Sequence, residues 1–206
     1  MENRLPWYEM TADQRRIHID TAQLHSAYVD GSNENRSYRG GMHWKTAKGR
    51  QYLFRSLDRQ GYGKSLGVRS PETEAIFRDF HENKKRIRES IHELQNRLRD
   101  QTRFCKAARI ARVPRVIGSI LRLFEAKKLL GSGFQVIGTN AMYAYEASAG
   151  VFFESGLMAT RDVDILWDTR LQFSPAELRM FPKAVVTAAA EAIKASGLPP
   201  DYGFGA

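Results

Sequence analysis

One cysteine, Cys105, stands in 206 residues. That excludes an internal disulfide framework and a cysteine-based zinc cluster, and it fits a reducing compartment, so a cytoplasmic location is expected. Long apolar runs are also lacking. Nothing approaches the roughly 18 uninterrupted apolar residues of a membrane span, so no membrane partner is expected. The opening MENRLPWYEM has no apolar h-region, and no secretory signal is expected from it. Five histidines (His18, His25, His43, His81 and His92) show no His-x-x-x-His or comparable ligand spacing. No internal repeat or low-complexity tract is present.

Positive charge, by contrast, is plentiful and unevenly placed. The net charge is +9, from 32 Lys+Arg against 23 Asp+Glu. Residues 1–112 hold 23 basic and 14 acidic side chains, whereas residues 113–206 hold 9 of each. The whole surplus therefore lies in the first half, which implies two segments with different tasks.

Residues 1–37 are polar and weakly patterned. Thr11 is a possible cap for a short helix to Leu24, and GSNENRS (31–37) has loop chemistry. From Tyr38 the texture turns rich in Gly, Arg, Lys and aromatics, with one expected strand from Gln51 to Arg55. Ser70-Pro71 then starts a helix: serine caps, proline suits the first turn, and Glu72 and Glu74 favour the positive end of the dipole. Phe77, Phe80, Ile87, Ile91, Leu94 and Leu98, with Lys84 in the missing slot, form one stripe along it. Residues 78–112 carry 11 Lys/Arg against 5 Asp/Glu. That excess is either a solvated face or a nucleic-acid contact, and composition leaves both open.

Pro114 opens a further helix, expected to end near Leu130. Phe134 to Ile137 is a short β-type run, Gly138-Thr139-Asn140 follows, and a small-residue helix runs from Ala141 to about Ala149. A Gly-punctuated loop leads to a second strand, Val163 to Trp167. Ser174-Pro175-Ala176-Glu177 is a capping box that starts a last helix.

Two motif matches fail. Gly63-Lys64-Ser65 resembles the end of a P-loop, but Asp58 occupies the first glycine position. Gly61-x-Gly63 lacks the third glycine of a dinucleotide fingerprint, because Leu66 stands there. Lys64 and Arg69 remain either phosphate contacts or an ordinary basic loop.

The informative stretch is residues 136–170. Asp162 and Asp164 are two apart on an expected strand, so their side chains leave the same face. Val163, Ile165, Leu166 and Trp167 make that strand read as mostly buried. Two adjacent carboxylates on an apolar strand are costly unless a cation such as Mg²⁺ neutralises them, and the competing reading is a solvent-exposed acidic face. A glycine at a strand end, Gly138, admits close approach of a ligand. The helix that follows offers free N–H groups to phosphate oxygens, and the Thr139 hydroxyl adds a donor. A phosphate cradle beside an Asp-x-Asp pair is the chemistry of a nucleoside triphosphate.

This arrangement resembles the nucleotidyltransferase (polymerase-beta-like) superfamily, and more narrowly a bacterial family of nucleotidyltransferase-fold proteins. The residues that carry the resemblance are YRGGMHWK (38–45), GKSLGVRSPETEAI (63–76), RVPRVIGSILRLF (112–124) and VIGTNAMYAYEASAG with ATRDVDILWDTR (136–170). It implies an α/β fold with a mixed sheet and flanking helices. It also implies Gly138 and Thr139 on the triphosphate, Asp162 and Asp164 on Mg²⁺ or Mn²⁺, and transfer of a nucleoside monophosphate from an NTP to an acceptor hydroxyl. Active members of that superfamily carry a third carboxylate on a later strand. After Trp167 no further β-type run bears one: Asp168 adjoins the pair on the same strand, Glu177 and Glu191 fall on the expected helix, and Asp201 lies in a breaker-rich tail. From Leu171 the motifs stop matching, which implies a truncated or altered carboxy-terminal part. The second reading is accordingly a catalytically silent module that holds a nucleotide, or a nucleic acid through the basic region 38–112. The expected organisation is a weakly structured segment 1–37, a basic region 38–112 with its long helix, and a nucleotidyltransferase-like core over 113–206.

Overall fold

The computed structural model describes residues 6–58, 62–126, 129–131, 134–158 and 164–167. In chain order the described elements are β1 (Trp7–Glu9), α1 (Ala12–Ser37), β2 (Gly41–Ala47), β3 (Arg50–Ser56), β4 (Gly63–Val68), α2 (Pro71–Ala107), α3 (Arg115–Ala126), β5 (Phe134–Ile137), α4 (Met142–Ala149), β6 (Val151–Phe153) and β7 (Asp164–Trp167). Short 3-10 turns cover Gly138–Ala141 and Ser155–Leu157. The fold is α/β with a long helix ahead of the 113–206 region, and among the described residues the four strand pairings of its three sheets are antiparallel. Among the described residues no helix is long and apolar enough to cross a membrane. The chain divides into two compact units, one of residues 16–110 and one of residues 1–15 with 111–206.

In the 16–110 unit, β2, β3 and β4 form a meander. Its first turn is Lys48-Gly49, flanked by the pair Ala47 and Arg50. Both turn residues have positive φ (49° and 73°), as the two-residue hairpin that matches strand twist requires. Helix α2 covers one face of the sheet. Met42, Leu53 and Phe80 are buried there, with Tyr38, Trp44, Leu66 and Phe77 packed around them. Burying one side chain of this size stabilises by about 1.5–3 kcal/mol, so this cluster is what fixes sheet to helix. Ser70 caps α2 as its sequence indicates, in a reciprocal box with Thr73: Thr73 N–H donates to Ser70 Oγ at 3.3 Å, and Ser70 N–H donates to Thr73 Oγ1 at 2.8 Å.

Three sequence expectations change in this unit. The stretch GSNENRS is not a loop but the last two turns of α1. Its poor helix formers are offset by packing on α2: Gly31 lies against Ile91, and Glu34 pairs with Arg86 at 3.6 Å. The antiparallel pairing continues with Gln95 Nε2 donating to the Tyr28 hydroxyl at 3.5 Å and Gln101 Nε2 donating to the Ile17 carbonyl at 3.3 Å. The single strand expected at 51–55 is the centre of three, because glycines read as loop markers at 41, 49 and 63 are strand ends and a hairpin turn. Helix α2 ends at Ala107 rather than near 112.

In the other unit, the amino-terminal β1 pairs with β6, Tyr8 opposite Phe152. The loop expected after Gly150 therefore contains a strand. Helix α3 is described over Arg115–Ala126, with Ile117 and Phe124 buried. Phe124 meets Phe134 of β5 edge-on, with ring centroids 6.0 Å apart. That contact anchors the strand that leads into the glycine turn.

Candidate functional site

The run FQVI pairs with DILW as β5 and β7, and the register sets Ile137 opposite Asp164. The chain leaves β5 at Gly138 with φ +65°, where a side chain would be strained. A β-carbon at Gly138 would also lie 2.3 Å from Asp164 Oδ2. Glycine is thus required at the point where the Asp164 carboxylate folds over the strand end. The 3-10 turn Gly138–Ala141 follows, and Ile137 before it contributes no side-chain cap. The turn runs into α4, which stops at Gly150 in the left-handed region. Thr139 is half-buried, Asn140 is buried, and Asp164 is exposed. The Asp164 carboxylate has no hydrogen-bond or ion-pair partner among the described residues.

Behind this turn α4 is held by a buried ionic network. Glu146, 3% exposed, pairs through Oε1 with Arg112 Nη1. The same Oε1 accepts the Phe153 N–H at 2.7 Å, and Arg112 Nη2 donates to the Phe153 carbonyl at 2.9 Å. The Arg112 guanidinium also sits 5.3 Å from the Phe152 ring centroid. One carboxylate and one guanidinium thereby tie α4, β6 and the segment before α3 together, and their charges are compensated where water is scarce.

Of the four residues singled out from sequence, the structure brings Gly138 and Asp164 together and sets Thr139 next in the turn. Asp162 lies outside the described residues. So do Asp168, Glu177, Glu191, Asp201 and the helix expected from Ser174. The strand carrying Asp164 is not mostly buried: Leu166 is 52% exposed and Asp164 itself is exposed. The cost of burying a carboxylate therefore does not arise at Asp164. What distinguishes this residue is its contact with Gly138. Among the described residues no group of three or more His, Cys, Asp or Glu side chains is gathered for a metal. Two donors among the described residues, the Asp164 carboxylate and the Thr139 hydroxyl, are hard oxygens of the kind that Mg²⁺ and Mn²⁺ prefer.

Arg112 and Glu146 were not apparent from sequence as a pair. The one available signal was an acid in MYAYEASA, a helix with no other charge. Lys64, weighed as a phosphate contact, is exposed on β4, and Arg69 is engaged with Glu74 at 2.7 Å and with Gln51.

Residues 115–195 match the family described as nucleotidyltransferase. The matched segment contains β5, the glycine turn, α4 and β7, and it continues past Arg170, where the motif resemblance stops. Residues 38–114 fall outside it. No curated protein and no solved structure gives a significant match to the chain.

Proposed function

We propose that the 115–195 segment, similar as it is to nucleotidyltransferases, transfers a nucleoside monophosphate from an NTP to an acceptor hydroxyl with release of pyrophosphate. The observation that carries this reading is the close approach of Gly138 to Asp164. A glycine turn and a carboxylate without a side-chain partner among the described residues meet at one strand end, which sets an acidic ligand beside the N–H groups of the turn.

In this reading the N–H groups of the turn after Gly138 and the Thr139 hydroxyl donate to triphosphate oxygens. The absence of a β-carbon at 138 lets the Asp164 carboxylate lie against the start of the turn whose N–H groups face the phosphates. Asp164, together with Asp162 two positions earlier, holds Mg²⁺ or Mn²⁺. When bound, the metal would neutralise phosphate charge and favour the ionised form of the attacking hydroxyl. The bond formed is between the acceptor oxygen and the α-phosphorus, and the bond broken is the α–β phosphoanhydride. Glu146 has a structural part instead: its Oε1 accepts from Arg112 and from the Phe153 N–H where the side chain is buried.

The test is incubation of the chain with each α-labelled NTP, Mg²⁺ or Mn²⁺, and RNA or protein acceptors. Label should pass to an acceptor, and Asp164→Asn and Asp162→Asn should each abolish the transfer. Transfer that survives both substitutions would overturn the site.

A further inference from the structure

We propose that the open face of the β2–β3–β4 sheet binds single-stranded nucleic acid, its aromatic rings stacking on bases and its lysine and arginine side chains meeting phosphates. Strand alternation divides the side chains of this sheet cleanly. Met42, Trp44 and Leu53 point to the face that α2 covers. His43, Lys45, Arg50, Tyr52 and Phe54 belong to the other face. The ladder sets His43 opposite Phe54, and Lys45 opposite Tyr52.

That second face combines two features that bland solvation does not require. The first is aromatic. The His43 and Phe54 rings are 5.6 Å apart, Tyr52 and Phe54 are only half-buried, and the Lys45 ammonium stands 3.5 Å from the Phe54 ring centroid. A flexible ammonium over a ring is a preset pair: it can swing to a phosphate while a base takes its place on the ring. The second feature is charge of one sign. Residues 38–57 hold five Lys/Arg and no Asp/Glu, and His43, Lys45 and Arg50 are exposed. Lys45 has no carboxylate partner among the described residues.

Two further cations lie at the sheet's end on the face that α2 covers, Arg55 opposite Met42 and Lys84 on α2, both over the Phe80 ring. Arg55 donates to the carbonyls of Ser37 at 3.0 Å and Gly41 at 3.3 Å, and Lys84 donates to the Gly40 carbonyl. These cations satisfy their donors on backbone, so their charge is left uncompensated. Burial, with Arg88 and Arg55 close by, pulls the Lys84 ammonium below its ordinary range. Stacking favours a single strand over a duplex, because paired bases keep their ring faces within the helix.

The test uses the full chain, no NTP, and a labelled mixed-sequence RNA of about 12 nucleotides, within the reach of a small sheet. Anisotropy is followed from about 50 to 200 mM KCl, with the matching duplex in parallel. The single strand should bind more tightly than the duplex. Lys45→Gln with Arg50→Gln should reduce the log–log salt slope by about 1.4, two phosphates' worth for a single strand. Phe54→Leu should weaken binding about fivefold or more at an unchanged slope. If Phe54→Leu does not fold, the exposed Lys45/Arg50 pair decides alone. Absent binding, a slope near zero, equal affinity for duplex, or an equal loss from Arg97→Gln with Arg99→Gln on α2 would overturn the proposal. The assay contains no triphosphate, so its result is independent of the transferase reading.

Discussion

Glu146 on α4 and Asp164 on β7 belong to one unit and flank the same glycine turn, yet their surroundings are opposite. Glu146 is almost wholly withdrawn from water and its oxygen is shared between a guanidinium and a backbone N–H. Asp164 is exposed, paired through its backbone alone among the described residues, and pressed against the place where a β-carbon would be at residue 138. The first carboxylate holds the fold together, its Oε1 shared between two protein donors. The second contributes little to the fold and keeps its oxygens available. A carboxylate near a candidate site is informative by its partners rather than by its proximity.

The sharpest way to break this contrast is to exchange each carboxylate for its amide. Asp164→Asn should lower nucleotidyl transfer by about 10²-fold or more, a loss of charge stabilisation at the phosphates. Its stability should move by no more than about 0.5 kcal/mol, as for other exposed substitutions. Turnover of labelled NTP beside a denaturant melt reads both. Loss of stability with activity retained would reverse the assignment of roles.

Glu146→Gln should do the reverse. The amide oxygen can still accept the Phe153 N–H, so the change isolates the charge that balances Arg112. Removing one partner of a buried pair typically costs about 3–5 kcal/mol. The lower end is expected here, because the Arg112 side chain remains 20% exposed. Urea unfolding measures it, and activity per folded molecule should hardly change. A cost near zero would mean that α4 is held by its apolar contacts alone.

Gly138→Ala tests the junction between the two carboxylates. A positive φ costs an alanine about 1–2 kcal/mol. The added methyl would also push the Asp164 carboxylate aside, since 2.3 Å is far inside contact distance. The variant should therefore lose about 1–2 kcal/mol in urea and also weaken triphosphate binding. A variant with the same loss of stability and full activity would separate the glycine from the site.

Much of this was readable in the sequence, and the reasons for the remainder are physical. The α2 start was legible because capping is local: Ser70, Pro71 and the acids after them act within one turn. The β5–turn–β7 arrangement was legible because its signals, a strand-end glycine and an acid on a later strand, are short in range. The helical state of GSNENRS was hidden, since Gly31 and Glu34 are held by Ile91 and Arg86, far along the chain. Strands β2 and β4 were hidden because glycines at strand ends carry the same local signal as glycines in loops. The Arg112–Glu146 pair could not be read at all, for a single Arg and a single Glu have no periodicity to betray a contact across 34 positions.

Glu72 supplies the intermediate case between the two carboxylates, and the smallest predicted effect. It is fully exposed like Asp164, but it has partners: the Ser70 side chain first, and its own backbone N–H, hold its carboxyl below the ordinary glutamate range. A depressed folded-state pKa means stability that is present above the unfolded value, about 4.3 for glutamate. That stability is lost as pH falls through the folded value. Ser70→Ala removes the hydroxyl that accepts the Thr73 N–H and also lowers the Glu72 pKa. It should cost about 1 kcal/mol at neutral pH, as for other N-caps. The difference from the parent protein should shrink as pH drops below the glutamate range, because the Glu72 share of it disappears on protonation. Thermal melts of both proteins across that range measure it. A difference that stays constant with pH would show that the cap acts on Thr73 alone, and that an exposed carboxylate with two hydrogen bonds is energetically as idle as one with none.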